Sequence, residues 1–374
     1  MQSKIYCDYN SFVPVDPEIS AKLERFFSEA SMFNPSSQHS GGRDSRAVID
    51  RAATKVRSVL ELNSHNVIFT SGGTEACHLA LECLSGDFPI LINPTEHSCV
   101  LDYVKKLKGA GEIDWIPVNQ DGIVDLDYIE AKLKEKPFLV VIMGANNETG
   151  AIQPVEKISK ICSNYGAYFF CDYIARLGKE ETWQPLGKHA PACYAISGHK
   201  TGAGFGSGLL LMPKSYKFFP LRSGGGQQLG IRPGTENPVA AFAISESLEM
   251  LSKREAENKE IQILRDKIES FLRKLKPNIK FWSENAPRTV NTSLFSIQGV
   301  KAASMIIKAD LSGLAISAGS ACSSGSSKAS HVVMAMSASK EDALSAIRLS
   351  LGKSNLTRED ELFKKLEKVF GEAE

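Results

Sequence analysis

Between residues 66 and 212, short runs that are almost wholly apolar alternate with segments of helical periodicity, and few folds accommodate that alternation. The runs are Asn66–Thr70, Pro89–Asn93, Phe138–Met143, Ala167–Cys171, Cys193–Ile196 and Leu209–Met212. Each is short for a helix and lacks polar alternation, which marks a strand covered on both faces. Helical spacing appears at Ala76–Leu84, from Ser98 onward and at Val155–Tyr165. Upstream, Ile19, Leu23, Phe26 and Phe27 repeat in the same way, and 43–62 puts Val48, Ala52, Val56 and Leu60 on one face. The pattern predicts an α/β fold, a mainly parallel sheet covered by helices on both faces. Ligands of such sheets sit beyond the carboxyl ends of the strands. Thr74, His97, Asn147 and Asp172 follow strands at that edge, so the topology gathers them into one cleft.

A chain of 374 residues exceeds one ordinary core. Beyond the alternating region come a long charged helical stretch (Val239–Lys274), a strand (Thr292–Ile297) and a helix (Lys301–Asp310). A helix-then-strand (Lys340–Ser350) and a last helix (Arg358–Phe370) complete it. This reads as a smaller α+β domain. The expected division is a large domain over 16–250 and a small one over 251–374, with residues 1–15 joining the latter. Charged residues at 23% and a net charge of +1 supply no bulk attraction to nucleic acid or to a membrane surface. No apolar run approaches a membrane span and no signal region opens the chain, so a cytoplasmic location is expected. The eight cysteines form no CxxC pair, which speaks against a zinc site or a disulfide framework. Most lie in apolar surroundings and read as packing residues.

Lys200 closes Ser197-Gly198-His199-Lys200, between two apolar strands and ahead of a glycine-rich run. An ammonium at a strand end inside a core is costly. Burial lowers the pKa of such an amine and makes it a nucleophile for Schiff-base chemistry. Ser71-Gly72-Gly73-Thr74 joins a strand to a helix and offers free N–H groups for a phosphate. It matches neither the Walker nor the dinucleotide fingerprint. Ser197 and His199 are further phosphate donors. Asp172 at a strand end suits a pyridinium nitrogen, and His97 suits ring stacking or proton movement. A lysine, an aspartate, a histidine and a phosphate-binding turn specify pyridoxal 5'-phosphate better than other cofactors.

Those residues carry a family resemblance. The chain resembles the cysteine desulfurases, in the class V aminotransferase branch of the fold-type-I pyridoxal-phosphate enzymes. The likeness runs through Asp8–Pro17, Phe69–Glu75, Thr95-Glu96-His97, Asn146–Gln153, Asp172–Lys179 and Ser197–Lys200. It continues through Gly224–Gln227, Gly234–Asn237, Ser317–Ser324 and Ile347–Gly352. The resemblance implies that Lys200 forms the Schiff base, that Asp172 pairs the pyridine nitrogen and that His97 stacks and transfers protons. It implies that Gly73, Thr74, Ser197 and His199 hold the phosphate, joined by Thr235 from the neighbouring subunit of a homodimer. Asn147 and Arg348 would bind the carboxylate of L-cysteine. Cys322 would attack the substrate sulfur and pass it as a persulfide to an acceptor such as an iron–sulfur scaffold, leaving alanine.

Cys322 stands in a small, polar loop, Ser317–Gly325, where a packing cysteine would not be placed. Arg348 lies in an alternating strand and carries the forked head that suits a carboxylate. The chain also departs from the family pattern. Ala175 stands where a glutamine usually bonds the cofactor's phenolic oxygen, and Arg176 or Tyr173 are the neighbours able to replace it. Phe12 and Val13 replace hydroxyl residues, Ala203–Gly206 replaces a Gly-Pro-Lys-Gly run, and the segment after Cys322 lacks the usual proline. The alternatives are a divergent paralogue that binds cofactor or partner with little turnover, and a related lyase acting on selenocysteine.

Overall fold

The computed structural model describes residues 4–29, 32–86, 88–107, 112–189, 192–319 and 329–371. In its first half the elements are β1 (Ile5–Tyr6), α1 (Pro17–Glu29), α2 (Ser40–Val59), β2 (His65–Thr70), α3 (Gly73–Ser85) and β3 (Ile90–Ile92). There follow α4 (Ser98–Leu107), β4 (Ile113–Trp115), α5 (Leu126–Glu135), β5 (Leu139–Val141), α6 (Val155–Asn164) and β6 (Tyr168–Asp172). Next are β7 (Cys193–Ser197), β8 (Gly208–Pro213), α7 (Pro238–Leu251), α8 (Glu255–Leu275), β9 (Ile279–Phe281) and β10 (Thr292–Ile297). The chain ends with α9 (Ala302–Leu311), β11 (Leu314–Ala315), β12 (Ser317–Ala318), α10 (His331–Ala335), α11 (Lys340–Ser345), β13 (Ala346–Ser350), α12 (Lys353–Leu356) and α13 (Glu359–Phe370).

The apolar runs build a seven-stranded sheet of order β2-β8-β7-β6-β5-β3-β4. β7, β6, β5, β3 and β4 are mutually parallel, and β8 alone runs against its neighbours. One apolar cluster (Val140, Phe169, Tyr194, Leu209) covers one face, and another (Leu79, Ile92, Phe170, Leu210) covers the opposite one. This double burial explains why the strands read as continuous apolar runs. β4 escapes notice in the sequence because it is a three-residue edge strand, Ile-Asp-Trp, with Trp115 exposed. β2 runs the same way, being antiparallel to β8, so Thr70, Asn93, Met143, Asp172 and Ser197 all lie at or just beyond strand ends on one edge.

The second sheet is antiparallel, of order β12-β13-β10-β9, and the two-residue β1 pairs with β11 beside it. Ile5 and Cys7 share a core with Ile261, Leu264 and Ile268 of α8, with Phe295 and with Phe370. The expected single helix over 239–274 is two helices, separated at Ser252–Arg254. Buried residues surround α7, whereas α8 shows one stripe at i, i+3, i+4 spacing toward the second sheet. The covering partner changes at that break. Among the described residues, no helix is long and apolar enough to cross a membrane.

Candidate active site

The parallel edge opens into a cavity of about 620 Å³. Its lining includes Gly73, Thr74, His97, Asn147, Asp172, Ser197, His199, Lys200 and Arg348, nine of the residues anticipated from sequence. α3 begins at its rim. The residue before that helix is Gly72, which has no side chain to cap it, and the Gly73 N–H reaches only a long bond to Ser197 Oγ at 3.3 Å. An open helix N-terminus with a hydroxyl beside it is a phosphate cradle. A Cβ added to Gly73 would lie 2.4 Å from Ile174 Cδ1 and 3.1 Å from Ser197 Cβ. Gly73→Ala is therefore expected to lower phosphate-group affinity about tenfold by pushing the cradle open. The fold should be preserved, because the Ile174 terminus is free to turn. Fluorescence titration of the cofactor and a thermal melt separate those effects.

Ser197 Oγ lies 2.8 Å from His199 Nδ1. Burial, then the nearby Lys200 and Lys179, hold the His199 imidazole down at about 4, so the ring is neutral at ordinary pH. Asp172 closes β6 with its side chain buried. Its Oδ1 accepts the Ile174 N–H at 3.0 Å and its Oδ2 faces the Cys77 thiol at 3.8 Å. Among the described residues no lysine or arginine pairs with it. Burial pushes its carboxyl up to about 6, the Cys99 thiolate adding to the effect. A carboxylate buried this way calls for a cation from outside the chain. His97 lines the cavity, and its Nδ1 accepts the Cys99 N–H at 3.2 Å, which leaves Nε2 as the nitrogen available to carry a proton.

Arg348 projects from β13 and is buried. Its Nη2 donates to Asp8 Oδ1 at 2.7 Å and Ser11 Oγ at 2.8 Å, and its Nη1 donates to the Asn147 carbonyl at 3.0 Å. Its Nε is buried and has no acceptor among the described residues. That orphan donor suits a ligand carboxylate. Lys200 Nζ donates to the carbonyl of Asn10 and, at 2.7 Å, to that of Ser11.

Two anticipated residues lie elsewhere. Thr235 is exposed and lines a separate cavity of about 250 Å³ with Arg232 and Glu236, outside the Lys200 cavity of its own chain. Cys322 lies outside the described residues. Ala175 does line the site, but neither proposed substitute for a glutamine reaches it. The Arg176 guanidinium is bound to both Glu180 oxygens at 2.9 Å and to the Gln153 carbonyl at 3.2 Å. Tyr173 is fully buried against Tyr194 and Arg176, with a hydroxyl that finds no partner among the described residues. The departures at 12 and 13 are apolar contacts: Phe12 stacks on Phe205 at 4.6 Å, Phe205 on His199 at 6.2 Å, and Val13 borders a different cavity.

Sequence reasoning passed over Cys99, which lines the site. Its contact with the Cys77 thiol, and then with His97, brings its own thiol below the usual range. Its place two residues after His97, at the start of α4, is the signal that distinguishes it from the packing cysteines. It also passed over Asn10 and Ser11, whose backbone meets Lys200.

A profile of the Aminotransferase class-V family matches residues 5–362. The chain is 33% identical to the cysteine desulfurase IscS of Dictyoglomus turgidum over 369 residues, covering 94% of this chain and 90% of that protein. It is 33% identical to cysteine desulfurase IscS 1 of Archaeoglobus fulgidus, with 95% and 93% covered. The X-ray structure of a NifS-like protein from Rickettsia africae superposes with a TM-score of 0.88 at 29% identity, covering 98% of this chain and 99% of that one.

Proposed function

The chain belongs to the class-V aminotransferase family and, within it, to the pyridoxal-phosphate-dependent cysteine desulfurases, and from that premise we propose which of its residues perform each task. The observation that carries the reading is the convergence of Lys200, Asp172, His97 and Arg348 on one cavity at the parallel edge.

The residues present fit the cofactor. The uncapped start of α3 with Ser197 and His199 would hold the phosphate, and Asp172 would pair the pyridinium nitrogen that its buried carboxylate calls for. Lys200 would carry the covalent link. When bound, the cofactor draws electrons away from the carbon of the amino acid attached to it. Everything else falls to the chain. The Arg348 Nε, with Asn147, receives the substrate carboxylate and fixes its orientation. His97, whose Nδ1 accepts the Cys99 N–H, holds and moves protons at Nε2 beside the substrate. The Cys322 thiolate forms an S–S bond to the substrate sulfur as the C–S bond breaks. The carbon takes a proton and leaves as alanine, and the sulfur stays as a Cys322 persulfide for an acceptor thiol, with iron–sulfur assembly as the destination.

Two features support a homodimer. Phe205, Phe219, Leu221 and Leu229 are apolar and exposed, at 79%, 54%, 65% and 66%. A set of this size calls for a covering surface. Thr235, on the same 205–235 stretch, lines a different cavity from its own Lys200, which supports a role in a second copy's cleft. We also read the two cores as two domains that divide at Ser252–Arg254, with the amino-terminal strand joining the second.

The test is incubation of the cofactor-loaded protein with L-cysteine, followed by alkylation and peptide mass analysis. Alanine should form in step with one extra sulfur atom on the Cys322 peptide. Alanine without that sulfur would move the persulfide to another thiol. The absence of both from loaded protein would overturn the residue assignment and favour a binding role.

A further inference from the structure

Lys200 stands in the wall between two cavities, the site described above and a second of about 350 Å³ bordered by Val13, Leu177, Lys179 and Leu251. The second cavity is also bordered by a buried amine. Lys179 is 8% exposed, and its Nζ donates to Asn10 Oδ1 at 3.0 Å, the one hydrogen bond that its ammonium makes among the described residues. Burial, then Lys200 and Arg348, lower its pKa to about 7. A lysine kept here at that cost is not explained by packing, which an apolar residue would do better.

What Lys179 touches explains it. Asn10 is buried and saturated: Oδ1 also accepts from Asn291 Nδ2 at 3.1 Å. Its Nδ2 donates to the Asn147 carbonyl at 3.1 Å and to Thr292 Oγ1 at 2.8 Å, and its N–H donates to Ser350 Oγ at 3.0 Å. The two carbonyls that leave this fixed segment toward the site, those of Asn10 and Ser11, accept from Lys200 Nζ.

We propose that Lys179 is a positioning residue for the cofactor-bearing lysine: by holding the Asn10 amide it fixes the Asn10 and Ser11 carbonyls as the seat of the Lys200 ammonium whenever that amine is not covalently engaged. The inference rests on the reading of Lys200 as the Schiff-base lysine. An amino acid that enters must displace Lys200. One C=N bond forms to the incoming nitrogen as the bond to Lys200 breaks, Lys200 takes up the proton that the incoming ammonium gives up, and no oxidant or reductant is needed. The released ammonium is then half-buried in the cavity wall, and without prepared acceptors it would carry part of the desolvation penalty of a charge taken from water. The Asn10–Ser11 carbonyls remove that penalty and so favour exchange.

The test uses the cofactor-loaded protein titrated with L-alanine, an amino acid with no sulfur to lose, with exchange read from the absorbance spectrum. Lys179→Met and Asn10→Ala should each weaken alanine exchange about tenfold, the loss of roughly one charged hydrogen bond. Lys179→Arg, whose larger head has the adjoining cavity to occupy, should recover most of it. Unchanged exchange in both variants, with or without a lower melting temperature, overturns the proposal. Tighter exchange in Lys179→Met also overturns it, because Lys179 would then act only by repelling Lys200. Borohydride reduction and peptide mapping of each variant keep the two readings apart. Cofactor fixed on Lys200 leaves the Schiff-base assignment standing whatever exchange does, and cofactor fixed elsewhere sinks that assignment itself.

Discussion

Lys200→Ala is expected to lower alanine formation from L-cysteine by about 10⁴-fold or more, the upper end of what one positioned acid–base group supplies, with the covalent link lost as well. The prediction is specific because the fold places two amines near each other, Lys179 buried and Lys200 half-buried. Lys179 and Lys200 both border the second cavity, and burial brings Lys179 to about 7, where an unprotonated amine is available at neutral pH. By amine chemistry alone either would serve. Geometry separates them, since only Lys200 also borders the cavity that holds Asp172, His97 and the start of α3. The Lys200→Ala protein should therefore retain cofactor by its phosphate and ring contacts yet show no borohydride-reducible adduct. If reduction fixed the cofactor on Lys179, or if turnover survived, the assignment of the site would fail.

The pair also shows what a sequence displays and what it hides. Lys200 was legible because it follows the apolar run Cys193–Ile196, and a charge at a strand end is conspicuous. Lys179 follows Asp172 by seven residues, beyond any strand, with nothing in its own neighbourhood to show that its amine has a buried partner; that partner, Asn10, is 169 positions away. The parallel sheet was legible for the same reason as Lys200, because strands covered on both faces cannot be disguised. The β4 edge strand and the break between α7 and α8 were not, since each depends on which surface covers the segment and not on its own composition. Site residues directly beyond the parallel strands were foreseen, whereas Asn10 and Ser11 come from the amino-terminal segment and Cys99 from the first turn of α4, whose direction only tertiary packing sets. Arg176 failed as a substitute for glutamine on the same ground. Its neighbour in sequence is the cavity, but its partner in space is Glu180.

Asp172→Asn should have opposite effects on the empty and the loaded protein. In the empty protein, burial raises the Asp172 carboxyl from its ordinary 3.8 to about 6. The folded state thus binds the proton more tightly than the unfolded chain. The penalty for ionising this group is absent at low pH, grows as pH rises from about 4 to about 6, and is constant above that. About two units at roughly 1.4 kcal/mol each make the penalty on the order of 3 kcal/mol. Asparagine does not ionise, so without cofactor the variant should be more stable than the parent at pH 8 and equal to it near pH 4. Cofactor reverses the order. The parent's carboxylate gains a pyridinium partner in a buried setting, where losing one member of an ion pair costs about 3–5 kcal/mol. Affinity of the variant should then fall by about 10²-fold or more, and the loaded parent should outlast it on heating. Thermal unfolding at both pH values, with and without pyridoxal phosphate, reads all four states. A variant that is no more stable than the parent when empty at pH 8, or that holds cofactor equally well, would show that Asp172 is not the group awaiting the ring nitrogen.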